Sequence, residues 1–164
     1  MEILNNLDLL SVGIAVASIL ILGFTAYFNN RQSITNRTLL YFCLTTSFWS
    51  VANYFSYKIS VPEISFKIIR LVIFAAVWHS FFFYTFSSVF PREKIEISKK
   101  YKFIIFPLTV IISFLTLTPL VFRSIIEVSE TGQILRIENG YGIILFASLI
   151  FFFVVPHSVI SPAK

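Results

Sequence analysis

Every charged side chain of this protein falls outside five uncharged, apolar runs. The runs cover residues 9–28, 38–57, 71–90, 103–122 and 141–157, and all thirteen basic and eight acidic residues lie outside them. A bilayer's hydrocarbon core, about 30 Å thick, takes about 20 helical residues to cross. The segregation therefore predicts an all-α, polytopic transmembrane helix bundle of about five spans, with residues 1–164 forming a single membrane domain. Composition agrees: 57% of residues are hydrophobic, 13% are charged, and the mean hydropathy is +0.84. A soluble domain carries roughly a quarter charged residues, so an ordinary soluble enzyme is excluded. The last run is the shortest, and Pro156 ends or kinks it. The opening "MEILNNLDLL" has no basic n-region and no small-residue cleavage site. It does not read as a cleaved signal peptide, and the first run is expected to stay as a span.

Charge between the runs sets an orientation. Arg31, Arg37, Arg92, Lys94, Lys99, Lys100, Lys102 and Lys164 put eight basic residues on one side, against five on the other: Lys58, Lys67, Arg70, Arg123 and Arg136. The positive-inside rule then gives a multi-pass cell-membrane protein with its N-terminus outside and its C-terminus cytoplasmic. The net charge of +5 is explained by these membrane flanks, so no nucleic acid partner is expected. Cys43 is the single cysteine, which excludes an internal disulfide and any CxxC metal signature.

One outer loop carries a pattern of its own. Residues 123–140, "RSIIEVSETGQILRIENG", alternate apolar and polar on both sides of "SETG". Ile126, Val128 and Ile134 through Ile137 flank a glycine-containing turn, which predicts a short β-hairpin covering helix ends or contributing to an outer site. In the second run Cys43, Thr46, Ser50, Asn53 and Tyr57 recur at spacings of three and four. They form one small, polar helical stripe that is expected to face other helices, because lipid offers hydroxyls and amides no partner. Ser11, Ala15 and Ser18 suggest the same for the first run.

The candidate site residues are Trp49, Asn53, Arg70, Trp78 and His79. His79 lies mid-span with Ala75, Ala76 and Ser80 on the turns beside it, so a neighbouring helix can approach. It reads either as an interhelical hydrogen-bonding residue or as a ligand-contacting or pH-sensing group. Trp49, Asn53 and Trp78 carry polar groups inside spans that need partners; they read as interhelical fasteners or as the lining of an outward-facing pocket. Arg70, at the outer start of the third run, reads as an interface anchor or as a contact for an anionic group, the anchor being the simpler role. No cofactor is expected. His157, the other histidine, sits too far from His79 in depth to share a haem, and no span holds a retinal-bearing lysine or an ion-coupling carboxylate. No metal cluster, phosphate loop or nucleophile–base motif appears, so catalysis by this chain is not expected.

The order of features then resembles a known family. "FNNRQSITNRTLLYF" ends the first span, "SFWSVANYFSY" fills the second, and the third opens with arginine and closes "WHSFFFYTFSSVFP". A basic loop, a fourth span, the hairpin-like loop and "ENGYGIILF" follow. This resembles the N-terminal seven-transmembrane region of bacterial sensor histidine kinases, through Arg37, Trp49, Arg70, Trp78, Phe82, Tyr84, Pro91, Gly140 and Gly142. The resemblance implies a membrane sensory module that passes a stimulus to a cytoplasmic signalling domain, with the bilayer and a second copy in a homodimer as further partners. The sequence departs from the family by stopping after five spans. It is thus expected to be a fragment or a reduced relative, with any kinase activity in a C-terminal domain it lacks. The competing readings are a small transport or channel component, which requires a continuous polar path, and a ligand-free membrane scaffold.

Overall fold

In the computed structural model, residues 2–90 and 101–154 are described. The basic loop over residues 91–100 and the segment holding Pro156 and His157 lie outside them, and with them the readings placed there.

The elements run α1 (Glu2–Asn29), α2 (Ile34–Lys58), α3 (Pro62–Val89), a π-helical turn (Tyr101–Ile105), α4 (Phe106–Thr116), β1 (Phe122–Val128), β2 (Ile134–Asn139) and α5 (Gly142–Val154). Five α-helices and one antiparallel hairpin thus make up the described residues. At 1.5 Å per residue, α1 and α3 are each about 42 Å long. Within α1 the stretch Leu7–Asn29, together with the whole of Pro62–Val89, is long and apolar enough to cross a membrane. These are the two helices that meet both requirements. Helix α2 is about 37 Å long, but its threonines, serines and Asn53 dilute its apolar character.

The helices described in the fourth and fifth runs are shorter than those of the first three. Helix α4 with its π turn covers sixteen residues, about 24 Å. The sequence "TLTPLVF" is apolar enough to extend a hydropathy window, but Pro119 cannot continue a helix. Residues 117–121 turn instead, and Phe122 opens β1. The described part of α5 is thirteen residues, about 20 Å. The third run differs in the other direction: α3 begins at Pro62, nine residues before the apolar run. Proline is pre-organised for the first helical position, where its missing N–H costs nothing.

Local sequence explains the connections. Asn30 Oδ1 accepts from the backbone N–H groups of Gln32 and Ser33 at 3.1 and 3.2 Å, and Ser33 caps α2 by accepting from Asn36 N–H at 3.3 Å. Ser65 Oγ donates to the Ser56 carbonyl at 2.8 Å, stitching α3 to α2 across their short connection.

Packing places α2 between α1 and α3, while α3 also packs on α4 and α5. Gly23 of α1 is buried against Cys43 of α2; a Cβ at Gly23 would lie 2.8 Å from that of Cys43. The apolar core joins Val77 and Phe81 of α3 to Ile112 of α4 and to Leu149 and Phe153 of α5. The expected seam of Ser11, Ala15 and Ser18 faces away from this packing. All three are exposed, and the two hydroxyls donate back to the carbonyls of Asp8 and Ile14 in their own helix. The face toward α2 is one residue round, at Val12, Val16, Ile19 and Gly23. Part of the α2 stripe faces helices, Cys43 meeting α1 and Thr46 meeting α3, whereas Tyr57 at its end is exposed.

The hairpin forms where the alternating pattern predicts it. Phe122 pairs with Asn139, Ile125 with Ile137 and Val128 with Ile134, with register irregularities between them. Gly132 takes φ 83° at the turn, a conformation that favours glycine. The hairpin lies against the bundle at three places. Its tip abuts the α2–α3 connection, since a Cβ at Gly132 would overlap the Ser60 carbonyl. At its base, Gly140 N–H donates to the Val121 carbonyl and Gly142 N–H to the Leu120 carbonyl, both at 2.8 Å. Along its side, Arg70 Nη2 of α3 donates to the Phe122 carbonyl at 2.7 Å.

Candidate functional site

Helix α2 sets His79 against its polar stripe. Thr46 Oγ1 lies 2.7 Å from the Phe42 carbonyl and 2.9 Å from His79 Nδ1. A threonine hydroxyl has one proton. With that proton on the Phe42 carbonyl, Thr46 Oγ1 accepts from His79 Nδ1–H. In a neutral imidazole this arrangement is the Nδ1–H tautomer, with Nε2 as an acceptor. The imidazole is held on both sides by rings of α2: the Phe42 centroid is at 5.1 Å and Trp49 stacks at 5.7 Å. His79 is therefore an interhelical contact, joined to α2 by one hydrogen bond and two ring contacts.

Trp49 connects this contact to a cavity near the hairpin tip. It lines a space of about 700 Å³ between α1, α2 and the hairpin tip, together with Asp8, Asn53, Tyr54, Lys58 and Gln133. Asp8 and Lys58 form an ion pair at 3.2 Å across the α1–α2 groove. A second cavity, of about 440 Å³, lies between α2, α3 and β2. Asn53, Tyr57 and Gln133 line both, forming the ridge that divides them. Both volumes fall in the ~300–1,000 Å³ range of small-molecule sites.

The five sequence candidates divide accordingly. Trp49, Asn53 and His79 belong to one connected region. Trp78 does not: one residue beyond Val77 and about 100° round the helix from His79, it packs against Phe74, Phe81, Phe82 and Phe106 on the α4 side. Arg70 lies apart from this region and contacts the hairpin. Because α3 starts at Pro62, Arg70 is well inside the helix, where its guanidinium sits 4.5 Å from the Phe66 ring centroid and holds β1. Its Nε is buried with no partner among the described residues.

One residue and one group of residues escape a reading based on the second run alone. Gln133 completes the cavity ridge beside Asn53 and Tyr57 of the α2 stripe, and the hairpin, which lies outside the second run, carries it there as it folds back over the bundle. Thr109, Ser113 and Thr116 form a fully buried hydroxyl stripe on α4, each donating to a carbonyl of the same segment. Their spacing of four and three is the signal that marks the α2 stripe. Among the described residues, no group of three or more His, Cys, Asp or Glu side chains could hold a metal ion.

At the hairpin base, Ser124 Oγ donates to Glu138 at 2.7 Å and Arg123 lies 3.5 Å from the same carboxylate. The serine hydrogen bond, with Arg123 adding to it, holds the Glu138 carboxyl below its ordinary range.

No family model, curated protein or solved structure matches the chain.

Proposed function

We propose that this chain is the membrane sensory input module of a signal-transduction protein, of the kind found at the N-terminus of bacterial sensor histidine kinases. In this reading the five helices cross the cell membrane with the hairpin end outside, as the basic-residue distribution favours. A stimulus enters at the outer cavities and leaves as a change in helix packing toward a cytoplasmic output domain.

The observation that carries the reading is the contact chain from cavity to core. Trp49 lines the larger cavity and stacks on His79, which bonds Thr46 between α2 and α3. An occupant that displaces Trp49 acts directly on that contact. Helix α3 in turn shares its core with α4 and α5 through Val77 and Phe81. A ligand with different affinities for two packings of α2 on α3 would shift their populations, and α5 would move with α3.

The test is the reading frame downstream of the Lys164 codon. Two further apolar spans, a coiled coil and a kinase domain are the expected result. A stop codon directly after Lys164, with no signalling gene beside it, would refute the reading.

A further inference from the structure

We infer that the smaller cavity, roofed by the hairpin, is a binding site for a small uncharged amphipathic molecule: a neutral alcohol, phenol or amide with a compact apolar body. This deepens the sensory reading by naming the ligand class of its outer site, and rests on that reading only for the consequence of binding.

The chemistry of the walls selects the class. None of the residues lining this cavity is charged. Ile69, Val72 and Ile73 of α3 face Ile134 and Ile137 of β2 and supply an apolar slot. The polar groups are of two kinds. Ser65 and Ser56 are committed, donating to the carbonyls of Ser56 and Asn53. The side-chain amides of Asn53 and Gln133 and the Tyr57 hydroxyl make no hydrogen bond among the described residues. They offer donors and acceptors together at one edge of an apolar slot. That matches a molecule with a hydroxyl or amide at one end and hydrocarbon at the other.

The same walls reject ions. A charged ligand would lose its hydration without meeting a counter-charge. Of the charged groups on the flanking elements, Asp8 and Lys58 pair with each other in the neighbouring cavity, and Arg70, which does not line this one, donates through Nη2 to the Phe122 carbonyl. The hairpin covers this slot: its tip meets the Ser60 carbonyl at Gly132 and carries Gln133 into the cavity wall. The roof and one of the three free polar groups are thus the same segment of chain.

The experiment uses the full chain in phosphatidylcholine nanodiscs. The probe is trifluoromethyl-diazirinyl benzyl alcohol, a neutral carbene-forming photolabel, with the corresponding benzoate as its charged counterpart; adducts are mapped by mass spectrometry. The expected result is saturable labelling at Tyr57, Ile69 and Ile137, displaced by p-cresol and not by benzoate. Lipid-facing Ile21 and Phe151 should be labelled in proportion to probe concentration. Ile73→Trp, which fills the slot, should remove the saturable fraction. Gln133→Ala should raise the half-saturating concentration about three- to tenfold, the effect of one lost hydrogen bond. Labelling of the cavity residues that rises linearly like that of Ile21, or equal displacement by benzoate, would overturn the inference. Adduct formation is read without any output domain, so loss of binding and loss of signalling are separate results.

Discussion

Replacing Thr46 by valine removes the hydroxyl that His79 bonds while keeping the shape of the side chain. The Phe42 carbonyl loses the threonine proton but stays in the helix ladder, so the loss falls on His79. Two ranges bear on its size. A buried donor left without a partner costs about 1–3 kcal/mol in water-soluble proteins. Interhelical hydrogen bonds in membrane bundles average about 0.6 kcal/mol, with a maximum near 1.7. The His79 ring is flanked by Phe42 and Trp49, which stops it from rotating to find another acceptor and favours the upper part of the membrane range. Transfer of the proton to Nε2 relieves some of the loss, so about 1 kcal/mol is expected. His79→Phe keeps a ring between Phe42 and Trp49 and removes both nitrogens. The double-mutant cycle of Thr46→Val and His79→Phe, measured by reversible unfolding in mixed micelles, should give a coupling of about 1 kcal/mol. A coupling within about 0.3 kcal/mol of zero, the scatter expected for independent sites, would show that the two side chains do not act together. The contact chain proposed for signalling would then lose its central link.

Gly140→Ala should destabilise the fold more than Gly142→Ala, because a Cβ at Gly140 would overlap the Leu120 carbonyl whereas one at Gly142 would lie 2.9 Å from it; about 2–3 kcal/mol is expected for the first, read by thermal unfolding in detergent. Arg70→Met should release β1 from α3, and hydrogen exchange should accelerate across Phe122–Val128 while the amides of α2 stay protected. Glu138, whose carboxyl is held low in the folded protein, contributes stability that is present above the ordinary carboxylate pKa of about 4.3 and is lost as pH falls through its depressed folded value. Ser124→Ala should move the Glu138 titration, followed by carboxyl carbon NMR, upward toward that ordinary value; an unmoved midpoint would mean the 2.7 Å hydrogen bond is not what holds it down.

The hairpin was the most legible element, because both of its causes are local. Alternation on either side of "SETG" fixes the two strands, and Gly132 supplies the positive φ of the turn. Helix existence was equally visible, since apolar runs without charge have few alternatives. Helix ends were not, for opposite reasons at two places. Hydropathy stops at Arg70, so it misses the first nine residues of α3, where Pro62 starts the helix and Glu63 and Lys67 stay exposed. It runs through Pro119, where the chain turns although the composition does not change. Facing was legible for α2, with Cys43, Thr46 and Asn53 all turned toward protein. It failed for α1, where hydroxyls satisfied by their own helix need no neighbour.

The site divides along the same line. The His79 contact follows from two helical stripes, because an imidazole between small residues on α3 calls for a polar partner and α2 offers one at Thr46. The cavity does not follow from any stripe. Its ridge takes Asn53 and Tyr57 from the C-terminal part of α2 and Gln133 from the hairpin turn just before β2, some eighty residues later, and they meet only because the hairpin folds back until Gly132 rests on Ser60. Arg70 contributes to that return by donating to the Phe122 carbonyl. The residue whose sequence context most suggested a membrane anchor therefore helps to place the roof of the cavity. A reading of spans one at a time assigns every polar residue to lipid, water or the next helix, and has no place for a side chain that holds a strand over the mouth of the bundle.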